Sequence, residues 1–206
     1  MATINRYNRR KHWFNRGVIG CTLTNQGVYR DIIGNNYPYA LYLEDDVKFN
    51  AGFKKLLTLL QPLIQDGDVI LLNYLSTHDL KLRSISDFGY HKYGLYEIAN
   101  PEAAGGGSAF IVTKTAAEKM LQFNIPIRIT PDCWGDFLKA TAINRLLCVY
   151  PRPVESNFFQ STMQLGKLLK LRNFINQYKV FPFYNLIRLY KRIRSRSLTK
   201  VIILDK

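Results

Sequence analysis

Three consecutive acids, Glu44, Asp45 and Asp46, follow the apolar run 39–43. Their charges repel one another, and burial at the end of a strand would penalise the ionised forms further. Lys48 is the only cation within four residues of the triplet, so neighbouring bases offer little compensation. A hard divalent cation such as Mg²⁺ or Mn²⁺ prefers oxygen ligands and would relieve this repulsion. The triplet therefore indicates either a metal or catalytic site, or an exposed polar loop.

The position of the triplet favours a nucleotide site, because ligands of open α/β sheets bind beyond the carboxyl ends of the strands. In an extended segment, Glu44 and Asp46 point to one side and Asp45 points to the other. An acid-x-acid pair can hold a metal that bridges two phosphates, and this metal would act as a Lewis acid for a departing nucleoside diphosphate. Glu44 and Asp46 are thus the candidate metal ligands. Glu44 and Asp45 are candidate cofactor-binding residues.

The elements that must position these acids can be predicted from apolar runs and helical spacing. We expect strands at 39–43, 68–74, 108–112 and 146–150, and helices at 24–33 with Thr24 as N-cap, 53–64, 113–123 and 132–142. Residues 75–100 are polar and rich in Ser, Gly, His and Tyr, which predicts a long surface excursion. Strands alternating with helices predict an α/β domain with a mostly parallel central sheet.

The cysteines and the charge distribution narrow the class of protein. Cys21, Cys133 and Cys148 are odd in number and widely spaced, which argues against a disulfide framework and against a CxxC zinc site. The net charge of +14 is concentrated at the ends: residues 1–30 hold six Lys or Arg and no acid, and residues 167–206 hold eleven and one acid. Basic ends suggest a polyanionic partner such as anionic lipid, a phosphorylated glycolipid or nucleic acid.

The chain shows neither an apolar run of the roughly 18 residues that a membrane helix needs nor a secretory signal at its start. We therefore expect a cytoplasmic protein. In the tail, Leu186, Ile187 and Leu189 interleave with basic residues. This pattern predicts a basic amphipathic helix within 167–206 that could lie peripherally on the anionic inner face of a membrane. A solvated charged face is the alternative.

Several blocks of the sequence, in order and at similar spacing, resemble glycosyltransferase family 25. They are GVIGCTLTN at 17–25, YLEDDV at 42–47, DVILL at 68–72, GGSAFIVTKTAAEKM at 106–120, IPIRITPD at 125–132, and a closing block of Tyr150-Pro151 with Gln160-Ser161. The resemblance covers roughly residues 17–163 and begins without the N-terminal strand usual in the family. Thr24-Asn25 stand where the family usually has Ser-His. We therefore expect a glycosyltransferase domain at 1–163, N-terminally short, and a basic tail at 164–206.

The resemblance implies a GT-A-like fold, a UDP-sugar donor, most often UDP-galactose, and a glycan hydroxyl as acceptor, as in lipooligosaccharide synthesis. Glu44 and Asp46 would take the place of the family's acid-x-acid metal motif, with Asp46 as the first choice for the direct ligand. Asp132 would lie near the acceptor as a candidate general base, a role open to a carboxylate within hydrogen-bond reach of the attacking hydroxyl. Asp136, one helical turn later, is the reserve candidate. The structural alternatives are an Asp132 that caps a helix and an Asp136 that is simply exposed.

Two smaller features remain open in the sequence. The run Gly105–Gly107 could let a sugar or phosphate approach the backbone closely, which makes Gly107 a candidate cofactor-binding residue, or it could be a plain flexible turn. No Lys-Ser/Thr follows it at the spacing that a phosphate loop requires, so it is not a phosphate loop. Trp134 could stack on a sugar ring or could belong to the core.

Two rival functions are kept beside the transferase. One is a nucleic-acid-binding protein that uses its basic ends, with interleaved aromatic side chains stacking on bases. The acidic triplet counts against it, because it would repel phosphates unless a cation intervened. The other is a catalytically inactive scaffold of the same fold.

Overall fold

The computed structural model of the chain describes residues 14–76, 78–156, 175, 178–186 and 201–204. Its strands are β1 Tyr39–Leu43, β2 Val47–Phe49, β3 Asp68–Ser76, β4 Leu80–Tyr90, β5 Tyr93–Ile98, β6 Ala104–Thr113, β7 Arg145–Tyr150, β8 Val154–Ser156 and β9 Val201–Leu204. Its helices are α1 Arg16–Gly34, α2 Phe53–Leu60, α3 Lys114–Phe123 and α4 Trp134–Lys139, with 3-10 turns at Gln61–Leu63 and Pro101–Ala103. Over the ranges described, the search for a helix with the length and apolarity of a membrane span finds none.

The central sheet has seven strands in the order β1-β6-β3-β7-β5-β4-β9, and β2 pairs separately with β8. Among the described strands of this sheet, β3–β7 and β4–β9 pair in parallel and the other four neighbours are antiparallel. The fold is α/β, as predicted. The prediction of a mostly parallel sheet is wrong.

Part of the error lies in β6, which runs antiparallel to both β1 and β3. The other part lies at residues 75–100, which form β4 and β5 rather than a surface excursion. Burial alternates along β4 because one face of this antiparallel hairpin meets solvent. Its outward polar residues therefore hide the strand in the sequence. His91 and Lys92 join the two strands with positive φ angles of 49° and 59°, the backbone geometry of a two-residue hairpin turn.

Helices cover both faces of the sheet, and β3 separates the two layers of core. Val69 and Leu71 point to the layer that contains α1, α3 and α4, whereas Ile70 and Leu72 point to the layer of α2. All four side chains are fully buried. This alternation follows from the two-residue period of a strand that is covered on both sides.

Helix α1 begins earlier than the sequence indicated. The side chain of Asn15 caps it by accepting a hydrogen bond from the Val18 amide at 3.0 Å. Thr24 was predicted to be the N-cap, but its hydroxyl donates to the Gly20 carbonyl one turn back inside the helix at 3.1 Å. The earlier start places 17–23 on the helix beside the sheet. The C-terminal end at Asn35 agrees with the prediction.

The remaining predicted elements are confirmed with small shifts of their ends. Some other expectations lie outside the described residues: the missing N-terminal strand, the boundary between 163 and 164, and most of the amphipathic helix expected in the tail. Within that tail, 201–204 form β9, which pairs with β4 and lies at one edge of the sheet.

Candidate functional site

The acidic triplet occupies the connection between β1 and β2, and backbone hydrogen bonds hold it in place on both sides. The Glu44 amide donates to the Ser108 carbonyl of β6 at 2.8 Å, which continues the pairing of Leu43 with Ala109. On the other side, β2 pairs with β8 so that Val47 lies opposite Ser156. The connection is therefore positioned by the central sheet and by the smaller β2–β8 ladder together.

Asp46 has one carboxylate oxygen that is hydrogen-bonded and one that is not. Its Oδ2 accepts a hydrogen bond from the Ser156 hydroxyl at 3.1 Å. Its Oδ1 is buried and has no hydrogen-bond partner. A buried carboxylate oxygen without a donor loses its hydration and gains nothing in return. This atom is the natural point of contact for a cation or a ligand donor.

The raised pKa of Glu44 indicates that the acids form one electrostatic cluster. Partial desolvation raises the pKa of Glu44 above its ordinary 4.5, and the charges of Asp46, Asp45 and Asp132 raise it further. The side chains of Glu44 and Asp45 remain exposed, so the cluster opens to solvent. The structure thus brings Asp132 to the triplet across 86 residues of sequence.

Asp132 is held in place by two donors. The Thr130 hydroxyl donates to its Oδ1 at 2.7 Å, and the Gly106 amide donates to its Oδ2 over a longer 3.4 Å. The second bond is weak at that length, which leaves Oδ2 with free capacity to accept a proton or another hydrogen bond. Cys133 occupies the N-cap position of α4, so helix capping does not explain Asp132.

The glycine run is part of β6, and its interpretation as a flexible turn is wrong. Gly106 has a φ of 80°, a conformation that favours glycine. A Cβ atom on Gly107 would lie 3.8 Å from the Asp132 Cβ and 3.6 Å from the Trp134 ring. Gly107 therefore lies directly against the segment that carries Asp132.

Trp134 belongs to the core, and its predicted alternative of stacking on a sugar is wrong. The side chain is completely buried and meets the Phe110 ring edge-on at 5.1 Å between centroids. Its Nε1 donates to the Gly106 carbonyl at 2.7 Å. Helix α4 can pack closely against the 3-10 turn Pro101–Ala103 because residue 135 is glycine: a Cβ there would be 2.9 Å from the Glu102 backbone. Trp134 thus ties the Asp132 segment to β6.

Asp136 lies in the first turn of α4 and is half-buried. Its charge contributes, after burial and after Asp132, to the raised pKa of the Cys133 thiol. Its role as a reserve base stays a prediction.

Helix α1 supplies residues of the site that sequence reasoning did not select. Burial raises the pKa of the Cys21 thiol, and the charges of Glu44 and Asp132 add to the increase. Burial likewise raises the pKa of Tyr42 to about 12, with Glu44 as the next cause, while a hydrogen bond from Asn25 opposes the increase. Both helix residues fall in the 17–25 block, so the resemblance contained the only available sign of them.

The donor atoms suit a hard cation, although they do not enclose one by themselves. In the described part of the chain, no group of three or more His, Cys, Asp or Glu side chains is arranged to hold a metal ion. The acids present carboxylate oxygens, one of them the unpartnered Oδ1 of Asp46. Mg²⁺ is commonly held by one or two carboxylates together with water and substrate phosphates, and this chemistry fits Glu44 and Asp46.

Glu44→Gln is expected to stabilise the folded protein at neutral pH. Because the folded-state pKa of Glu44 is raised, folding favours its protonated form, and this contribution is lost as pH rises through the raised pKa. At a pH above this pKa, the ionised Glu44 repels the neighbouring acids in the folded protein, and the uncharged amide of the variant removes this repulsion. We expect a gain of about 0.5 kcal/mol, since solvent screens a partly exposed group. Urea unfolding at pH 4 and pH 7 would measure it; a gain equal at both pH values would contradict this origin.

Comparison with known families gives one match. Residues 2–134 match the family model described as Glycosyltransferase family 25 (LPS biosynthesis protein). The match spans well over half of the 206 residues and includes the acidic triplet, the glycine run and Asp132. It starts before the blocks recognised from residue 17 and ends before those at 150–161. No curated protein matches the chain.

Proposed function

The chain belongs to glycosyltransferase family 25, and on that premise we propose that it transfers a hexose, with galactose as the first choice, from a UDP-sugar to a hydroxyl of a surface glycan such as lipooligosaccharide. One observation carries the proposal: the acids Glu44, Asp45, Asp46 and Asp132 converge in a solvent-accessible cluster within the matched region. We further propose a GT-A-like arrangement of the domain and a cytoplasmic location.

Asp46 and Glu44 are proposed to hold Mn²⁺ or Mg²⁺ together with the donor diphosphate. Asp46 has the unpartnered oxygen, and Glu44 has a carboxylate whose ionised form is disfavoured by its neighbours. A bound cation supplies positive charge that stabilises the departing UDP. The clustered acids would attract this cation, which explains why the fold tolerates their repulsion of one another.

Asp132 is proposed to act on the acceptor. In transfer with inversion, the acceptor oxygen forms a bond to the anomeric carbon while the bond from that carbon to the diphosphate oxygen breaks. The proton of the acceptor hydroxyl must leave at the same time, and Oδ2 of Asp132 can accept it. Thr130 holds the other oxygen at 2.7 Å, so the carboxylate is oriented before the acceptor arrives.

The backbone beside Asp132 supports the same assignment. Gly107 is half-buried and its backbone lies directly against Asp132, so a sugar held by that carboxylate would lie beside it. Asp45 is exposed at the mouth of the cluster, where it could accept a hydrogen bond from a hydroxyl of the donor. Both are therefore proposed to contact the nucleotide sugar.

A thermal-shift screen of nucleotide sugars, with and without Mn²⁺, tests this function. We expect UDP-galactose with Mn²⁺ to raise the melting temperature more than either component alone, because ligands that bind only the folded state stabilise it. ADP-galactose serves as the matched control, because it differs from UDP-galactose only in the base. If no UDP-sugar raises the melting temperature in either condition, the active transferase is ruled out and the inactive scaffold is favoured.

A further inference from the structure

The segment 178–186, here called the aromatic turn, presents apolar side chains to solvent. Tyr178, Phe181, Phe183 and Leu186 have 63%, 80%, 55% and 57% of their surface exposed. Every other exposed large hydrophobic residue in the described part of the chain is at 50% or less. Four such residues within nine positions form a cluster of the kind that marks an interaction site.

The aromatic turn has a defined backbone, so its exposed side chains are displayed by local structure. The Tyr184 amide donates to the Val180 carbonyl at 2.8 Å, and the Leu186 amide donates to the Pro182 carbonyl at 3.2 Å. The Val180 amide in turn donates to the Ile175 carbonyl at 3.1 Å. These bonds turn the backbone back on itself and leave the large apolar groups on the outside.

The charge of the sequence that flanks the aromatic turn indicates the partner. Residues 167–206 contain eleven Lys or Arg and a single acid, Asp205, and Lys179 lies exposed within the turn itself. Aromatic rings beside cationic side chains are the composition that enters the headgroup region of an anionic bilayer: the rings lie at the boundary with the acyl chains and the cations meet lipid phosphates. Leu186 adds aliphatic surface, which favours acyl chains over stacked nucleic-acid bases.

We propose that the aromatic turn docks the protein on an anionic phospholipid membrane, with Phe181 and Phe183 as the inserting side chains. The inference deepens the proposed function, on which it rests for its purpose: a transferase bound to the membrane meets a lipid-anchored acceptor at its surface. Docking itself depends only on the exposed rings and the positive charge of the sequence that flanks them.

Vesicle cosedimentation of the full chain tests the docking. Vesicles of phosphatidylglycerol and phosphatidylcholine are compared with vesicles of phosphatidylcholine alone, at low and high salt. We expect binding to the anionic vesicles, weaker binding at high salt, and a loss on the order of tenfold for Phe181→Ser combined with Phe183→Ser. The matched control is Tyr37→Ser combined with Ile85→Ser, since both of these side chains are exposed on the body of the domain; it should bind as the unsubstituted protein does.

Several results would overturn the proposal: equal binding to both vesicle types, an unchanged affinity of the Phe181/Phe183 variant, or a turn that instead mediates self-association or binding to an RNA oligomer without vesicle binding. Hydrolysis of UDP-galactose in the absence of vesicles separates this inference from the proposed function. Hydrolysis without vesicle binding rejects the docking alone, and vesicle binding without hydrolysis or transfer rejects the transferase alone. Melting temperatures of both double variants verify that each is folded.

Discussion

Asparagine in place of Asp46 is expected to lower the rate of sugar transfer by about a hundredfold or more. The Oδ1 of Asp46 is buried without a partner, so the proposed cation gains most from this oxygen. Asparagine keeps the shape and one carbonyl oxygen but loses the negative charge. Initial rates with UDP-galactose over a range of Mn²⁺ concentrations would show a lower maximum and a higher half-saturating Mn²⁺ concentration.

The matched control for Asp46→Asn is Glu155→Gln. Glu155 is exposed on β8, beside Ser156 and opposite Lys48 in the same short ladder, so this substitution also removes one negative charge close to the site. Its rate should remain within about twofold of the unsubstituted protein, because an exposed charge contributes little. Unchanged metal-dependent turnover in Asp46→Asn would show that Asp46 is not a ligand.

Trp134→Ala is expected to cost about 3–5 kcal/mol of folding stability. The indole is completely buried, and its removal leaves a cavity against Phe110 and Phe137. It also leaves the Gly106 carbonyl without the donor that it has at 2.7 Å. Urea unfolding followed by circular dichroism would give the difference in the free energy of unfolding.

Trp134→Phe helps to separate the two contributions, because it keeps most of the apolar volume but removes the indole N–H. We expect it to cost about 1–2 kcal/mol. Since Gly106 also donates to Asp132, both variants should lower the transfer rate more than they change the apparent affinity for the donor. If the alanine variant is as stable as the phenylalanine variant, the cavity is filled by rearrangement and the assigned packing role is wrong.

The acidic triplet could be selected from the sequence because its residues are adjacent in the chain. Glu44, Asp45 and Asp46 stand together after a strand that is easy to recognise, and their mutual repulsion can be read without any tertiary structure. Strands β3, β6 and β7 were found for a related reason. They are buried on both faces, and their continuous apolar runs show little competing pattern.

The rest of the site depends on contacts between distant segments. Asp132 reaches the triplet because Thr130, Gly106 and Trp134 hold its segment against β6, and no periodicity in the sequence encodes those bonds. Cys21 and Asn25 join because α1 starts at Arg16, a boundary set by one capping side chain. The antiparallel hairpin β4–β5 was missed because its polar, solvent-facing positions resemble a loop.

The short strand β9 has a consequence for how the aromatic turn is connected to the domain. The 44 residues from 157 to 200 begin after β8, which is paired with β2, and finish at β9, which is paired with β4. The aromatic turn is therefore joined, along the chain, to a paired strand on its N-terminal side and to another on its C-terminal side. A single cut in this stretch would leave both pieces joined to the sheet by hydrogen bonds.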